Sequence, residues 1–77
     1  MAYDLVGPVF DPFRTLVRWR ATGDAEHPYE ARYRDQVWHV RVCDWPAEPT
    51  VYVLLIDGRE HAGFDDWPTL SWGPRPT

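Results

Sequence analysis

Residues 50–64 read TVYVLLIDGREHAGF, and this stretch decides the fold. Residues 50–57 are rich in β-branched and aromatic side chains and are apolar at odd and even positions alike. That pattern indicates a central strand that is buried on both faces. Asp57-Gly58 is a strong signal for a two-residue hairpin turn. We therefore expect a strand over 50–57, a tight turn, and an antiparallel return strand over 59–64.

The register of this hairpin follows from its turn, because a two-residue turn fixes which residues lie opposite each other. Counting outward from Asp57-Gly58 gives these expected pairs: Ile56 with Arg59, Leu54 with His61, Val53 with Ala62, and Val51 with Phe64.

A second hairpin is expected before the first. Residues 29–34 alternate apolar and charged side chains, which is the period of a half-buried strand, and residues 37–43 form the next strand. Asp35-Gln36 is the candidate turn between them. The expected pairs are Tyr33 with Trp38, Arg32 with His39, and Glu30 with Arg41.

Residues 12–21 are predicted to form an N-terminal helix. Asp11 can cap it, and Pro12 suits a first turn because its missing N–H would have no partner there. From Phe13 onward, apolar residues recur at helical spacing. The predicted fold class is therefore α+β, with one N-terminal helix packed on a four-stranded antiparallel β-meander over residues 29–64.

The chain ends are assigned to the same single domain, since 77 residues form one domain at most. Residues 1–10 are predicted to be an N-terminal arm, because Pro8 excludes a central strand there. A turn of helix is expected around 69–72. The Pro-rich residues 73–77 are expected to be a loose tail.

The predicted sheet has two unequal faces. The core face carries Tyr29, Ala31, Tyr33, Trp38, Val40, Val42, Val51, Val53, Leu55, Ala62 and Phe64. The second face carries Glu30, Arg32, Arg34, His39, Arg41, Tyr52, Leu54, Ile56, Arg59 and His61. On this second face, an apolar strip is rimmed by Arg and His side chains.

The second face is the predicted contact surface for another protein or for a second copy of the chain. A monomer rarely exposes a contiguous apolar patch without reason, and an apolar centre with a polar rim is typical of binding interfaces. The expected contact residues are Tyr52, Leu54, Ile56, His39, Arg41 and His61. The alternative is that the N-terminal arm or the Trp72 segment covers the apolar strip.

The acidic loop Asp65, Asp66 and Trp67 is the other candidate contact surface. Paired carboxylates in glycosidases flank a cleft and are at least about 5 Å apart, and so short a chain offers no second lobe for a cleft. We expect either a turn whose Asp side chains accept backbone N–H groups or a loop that a basic partner recognises. Trp45-Pro46 in the preceding long loop could join that surface.

Two further hypotheses compete with protein binding. The first is single-stranded nucleic-acid binding through Arg32, Arg34 and Arg41; it is disfavoured because the net charge is -4 and such binding needs a clustered basic stripe. The second is a metal or small-ligand site around His27, His39 and His61, although a metal needs three or four convergent ligands. We expect no metal, no other cofactor and no catalytic activity, since we find no catalytic motif.

Composition sets the remaining expectations. Aromatic residues make up 16% of the chain, including five Trp, and each buried aromatic removes about 150–250 Å² from water. No apolar run approaches the roughly 20 residues of a membrane span, and the first residues lack the basic start of a signal peptide, so we expect a cytoplasmic protein. Cys43 is the one cysteine and is expected to be an apolar filler. All eight basic residues are Arg, which suggests a GC-rich bacterial or phage genome.

Overall fold

The computed structural model describes residues 10–77. The elements are a 3-10 turn at Pro12–Arg14, strands β1 at Trp19–Ala21, β2 at Tyr29–Tyr33, β3 at Gln36–Val42, β4 at Tyr52–Ile56 and β5 at Arg59–Phe64, and helix α1 at Thr69–Trp72. The strands form one antiparallel meander in the order β1-β2-β3-β4-β5. Apart from Phe10, the predicted N-terminal arm over residues 1–10 lies outside the described residues.

The predicted N-terminal helix over residues 12–21 is wrong. Only one helical turn forms after the predicted cap. Asp11 Oδ1 accepts a hydrogen bond from Phe13 N at 3.0 Å, but the backbone is extended again at Thr15. The following residues form β1, which pairs with β2. A helix would place Trp19 off the apolar stripe, whereas in β1 it is buried. Over residues 10–77 the sheet therefore has five strands instead of four, and the predicted turn of helix at 69–72 is present as α1.

The β2–β3 hairpin has the predicted strands but a different turn. The turn residues are Arg34-Asp35, and Gln36 already belongs to β3, where its side chain accepts a hydrogen bond from Trp38 Nε1 at 3.0 Å. The predicted pairs are replaced by Ala31 with Trp38, Arg32 with Val37, and Glu30 with His39. This displacement by two residues leaves every side chain on its predicted face, because the side-chain period of a strand is two.

The β4–β5 hairpin turns at Asp57-Gly58, as predicted. Ile56 pairs with Arg59, and the φ angles of the two turn residues, 51° and 82°, are both positive. This is the left-handed backbone that a two-residue hairpin turn of this type requires and that glycine adopts without steric cost.

A β-bulge in β5 follows this turn and changes which β5 side chains face inward beyond it. The observed pairs are Leu55 with Glu60, Leu54 with Ala62, Val53 with Gly63, and Tyr52 with Phe64. His61 is therefore an extra residue without a partner in β4, and the predicted pairs that counted through it are wrong. A bulge of this kind locally shifts the strand by one residue, which lets Phe64 share the inner face with Tyr52 and Leu54.

The inner face of the sheet is closed by aromatic side chains from both ends of the described chain. Its fully enclosed centre consists of Trp38, Val40 and Leu54. Trp72 from α1 packs into the same cluster, and its Nε1 donates to the Pro12 carbonyl at 2.9 Å. The Ser71 hydroxyl donates to the Phe13 carbonyl. The 3-10 turn and α1 thus form the second layer that an amphipathic sheet needs.

The outer face carries no helix among residues 10–77. Val53 and Leu55, which we predicted for the core face, lie on this side, opposite Arg41 and His39 respectively. No helix in the described part of the chain has the length and apolar character required to cross a membrane.

Candidate functional site

The predicted apolar contact strip of Tyr52, Leu54 and Ile56 is part of the core. Tyr52 is 5% exposed and Leu54 is 0% exposed. Both belong to the cluster that contains Trp72, and Ile56 packs against it. The Trp72 segment therefore covers Tyr52 and Leu54, which cannot contact a partner without unfolding, whereas Ile56 is only half-buried.

The other residues of the predicted surface are divided between different places. His39 and Arg41 lie on the outer face, opposite Leu55 and Val53, while His61 is the exposed bulge residue of β5. The predicted rim of Arg and His side chains therefore does not surround Tyr52, Leu54 and Ile56, which lie on the inner face of the sheet.

Arg41 is engaged by carboxylates on both sides. Its guanidinium lies 3.1 Å from Glu48 Oε1 and 3.7 Å from Glu60 Oε2. The hydrogen bond with Glu48 raises the pKa of Arg41 above its usual value. An arginine whose charge is already compensated contributes little to recruiting a phosphate backbone.

The remaining arginines named for nucleic acid are at the turn end of β2. Arg32 is exposed, and the Arg34 guanidinium stacks over the Tyr33 ring at 5.2 Å from its centroid. With Arg41 held by Glu48 and Glu60, the three residues do not form one basic stripe. The geometry therefore offers weaker support to the nucleic-acid hypothesis than the sequence did.

The histidines form one pair and one separate residue. The rings of His27 and His39 meet edge to face at 5.9 Å between centroids. His39 Nε2 lies 3.6 Å from Glu30 Oε2, and His27 Nδ1 lies 3.9 Å from Asp24 Oδ2. Within residues 10–77, no group of three or more His, Cys, Asp or Glu side chains is arranged to hold a metal ion.

The loop of Asp65, Asp66 and Trp67 is tied to the fold instead of being presented to solvent as a unit. Asp65 Oδ1 accepts a hydrogen bond from Val51 N at 3.1 Å, which is the turn role that we considered for it. Trp67 packs against the core cluster, and its Nε1 donates to the Gly73 carbonyl at 3.0 Å. Asp66 is the member of this loop that remains a simple exposed carboxylate.

Trp45 is an exposed aromatic residue, and from the sequence we expected it only as a possible addition to the surface of Asp65, Asp66 and Trp67. Its side chain is 60% exposed, whereas Trp19, Trp38 and Trp72 are buried. The tripeptide Asp-Trp-Pro occurs twice, at 44–46 and at 66–68. The tripeptide sequence therefore does not determine which of the two indoles, Trp45 or Trp67, packs against the core.

The loop that carries Trp45 is closed by hydrogen bonds at its base. Glu48 N donates to the Asp44 carbonyl at 2.8 Å, and Asp44 N donates to Glu48 Oε2 at 2.9 Å. The pKa of Glu48 is lowered, first by the hydrogen bond from the Asp44 N–H and next by that from Arg41. The indole thus projects from a loop that is fixed to β3 through Arg41.

Three loops that carry carboxylates lie at the same end of the sheet as Trp45. Val42 pairs with Tyr52, and Tyr52 pairs with Phe64, while the start of β2 lies beside the end of β3. The loops over 22–28, 43–51 and 65–68 therefore leave the same end of the sheet. We call this the acidic end because these loops contain no Arg and carry Asp24, Glu26, Asp44, Glu48, Asp65 and Asp66.

An apolar groove lies between the 3-10 turn and α1, and we call it the lid groove. Its volume is ≈ 530 Å³. The lining includes Phe13, Leu16, Trp67, Pro68 and Leu70, with Arg14 beside them. Leu16 is 78% exposed and Leu70 is 100% exposed. Neither leucine was singled out from the sequence as a surface residue.

Comparison with known proteins adds no relative: no family model matches the chain, and neither a curated protein nor a solved structure matches it.

Proposed function

We propose that the chain is a small non-enzymatic protein-binding module whose contact surface is centred on Trp45 at the acidic end. The observation that carries this proposal is an indole that is 60% exposed on a loop closed at its base by hydrogen bonds. A module of this kind would act in the cytoplasm as an inhibitor, an immunity-type protein or an accessory subunit.

Energetics favour Trp45 as the anchor of an interface. Trp is enriched among the few interface residues that dominate binding free energy, and its truncation commonly costs about 2 kcal/mol or more. Binding also loses less conformational entropy when the anchor sits on a loop that is already ordered. The hydrogen bonds between Asp44 and Glu48 provide that order before any partner arrives.

The charge around Trp45 indicates the character of the partner surface. The acidic end carries carboxylates on three loops and no Arg on those loops. Arg41 of β3 compensates Glu48, and Arg75 contacts the Tyr52 hydroxyl, so the uncompensated charge comes from the other carboxylates. Complementary charge on a partner accelerates association and disfavours acidic competitors. The partner surface should therefore be basic, with an apolar recess that accepts an indole.

Affinity capture with matched variants tests the proposal. Wild-type protein, Trp45→Ala and Arg59→Ala are each immobilised, and the proteins that they retain are identified. Arg59 is exposed at the opposite end of the sheet and serves as the control. A partner retained by wild type and by Arg59→Ala is then purified and titrated against all three by calorimetry.

Trp45→Ala should raise the Kd about 30-fold or more, which corresponds to about 2 kcal/mol, while Arg59→Ala should change it little. Equal affinity of Trp45→Ala and wild type for every purified partner would remove Trp45 as the anchor and the proposed contact surface with it.

A further inference from the structure

The chain carries both an exposed apolar projection and an exposed apolar recess. The projection is the Trp45 indole, and the recess is the lid groove with Leu16 and Leu70 on its surface. They belong to different loops: Trp45 follows β3, whereas the lid groove lies between the 3-10 turn and α1. A projection on one surface and a complementary recess on another allow one molecule to receive the next.

We propose that the occupant of the lid groove is a second copy of the chain, with Trp45 of one copy seated against Leu16 and Leu70 of the other. This inference rests on the proposed function, because it names the partner of Trp45. The groove is shallow and largely open, and its volume of ≈ 530 Å³ leaves room for a flat indole to lie against the exposed leucines. Burial of the indole and the two leucines removes three large exposed apolar side chains from water at once.

Charges beside the two surfaces are complementary. Arg14 lines the lid groove; its Nε lies 3.8 Å from Asp11 Oδ2, but its side chain is 89% exposed and its guanidinium remains accessible. Trp45 is preceded by the exposed Asp44 and lies at the acidic end. Seating Trp45 in the groove brings Asp44 toward the Arg14 guanidinium of the other copy, where opposite charges favour the encounter.

Because the two surfaces differ, each can be disabled without the other. Trp45→Ala removes the projection, and Leu70→Glu places a carboxylate in the recess that the acidic end must approach. Both side chains are exposed, so each variant should fold and should unfold at nearly the same denaturant concentration as wild type. Leu16→Glu is an independent recess variant. Thr77→Glu introduces the same charge change at an exposed position outside the groove and is the control.

Sedimentation of the full chain from about 10 µM to about 1 mM, the range of weak complexes, tests the inference. Wild type and Thr77→Glu should rise above the 9.1 kDa mass of one chain as concentration increases. Trp45→Ala, Leu70→Glu and Leu16→Glu should each require about 30-fold higher concentration for the same average mass.

The decisive sample is an equimolar mixture of Trp45→Ala and Leu70→Glu. The intact recess of the first variant can accept the intact Trp45 of the second, so the mixture should form a 1:1 dimer that neither variant forms alone. Wild type that stays at 9.1 kDa throughout, or variants that associate like wild type, overturn self-association. Those results leave the capture comparison intact, since a separate protein retained through Trp45 still supports the proposed function.

Discussion

Glu48 shows how one side chain can order a binding loop. Its carboxylate accepts hydrogen bonds from Arg41 Nη1 at 3.1 Å and from Asp44 N at 2.9 Å, while its own N–H donates to the Asp44 carbonyl. It therefore joins the Trp45 loop to β3. Both bonds to the carboxylate are stronger when that group is charged, and together they lower the pKa of Glu48.

The lowered pKa of Glu48 predicts a specific pH dependence of stability. A carboxyl whose pKa is lower in the folded state stabilises the fold above its unfolded pKa, and this contribution is lost as pH falls through the folded pKa. The usual value here is 4.5. Glu48→Gln should therefore be less stable than wild type at neutral pH, and the difference should shrink as pH falls below 4.5.

Urea unfolding of wild type and Glu48→Gln, followed by circular dichroism at neutral pH and at several acidic values, measures this difference. A difference that stays constant across the whole series would show that the charge of Glu48 does not stabilise the fold.

Single residues also set the limit of what could be predicted about the site. Trp45 and Trp67 occur in identical Asp-Trp-Pro tripeptides, yet Trp67 packs against the core cluster and Trp45 is 60% exposed. The difference arises because α1 follows Trp67 and folds back onto the inner face. Which indole is exposed is thus a consequence of tertiary packing, and neighbouring residues do not encode it.

At the scale of elements, the predictable features were those with a strong local signal. The Asp57-Gly58 turn and the strands around it were predicted from β-branched content and turn chemistry. The sequence could not predict which face of β4 lies inside, because a strand that is apolar on both faces shows no alternation of apolar and polar residues. The helix at 12–21 failed for a related reason: its stripe omitted Trp19, the largest side chain available for burial there.

The bulge in β5 determines the face that Phe64 occupies. His61 is the extra residue, and beyond it Phe64 pairs with Tyr52 on the inner face. Insertion of one alanine between Gly63 and Phe64 should displace Phe64 by one position and turn its side chain outward, because successive side chains of a strand point to opposite faces. The expected loss is about 3–5 kcal/mol, the cost of removing a large aromatic side chain from a core.

Replacement of His61 by Ala is the matched control, because its side chain is exposed and surface substitutions usually change stability by no more than about 0.5 kcal/mol. Denaturant midpoints of the two variants should therefore differ widely. Similar midpoints would mean that the length of β5 is not what holds Phe64 in place.

At the scale of the whole molecule, the fold depends on contacts between distant parts of the chain. The hydrogen bonds from Trp72 to Pro12 and from Ser71 to Phe13 join residues about 60 positions apart. The inner face is thus covered by two short elements, neither of which is long enough to be helical by itself. In a domain of this size, the margin of stability left after covering one sheet face is small.

Removal of residues 67–77 should therefore abolish cooperative folding. The truncation takes away Trp67 and Trp72 and exposes Tyr52 and Leu54 beneath them. Loss of a buried Trp costs about 3–5 kcal/mol, so loss of two approaches or exceeds the roughly 5–15 kcal/mol stability of a typical domain.

Removal of residues 75–77 alone is the control, since it takes away the contact from Arg75 to the Tyr52 hydroxyl but keeps both indoles in place. Thermal unfolding followed by near-ultraviolet circular dichroism should show a sharp transition for the short truncation and none for the long one. A sharp transition in both would mean that β1 to β5 fold without their C-terminal cover, and the inner face would then be an accessible surface after all.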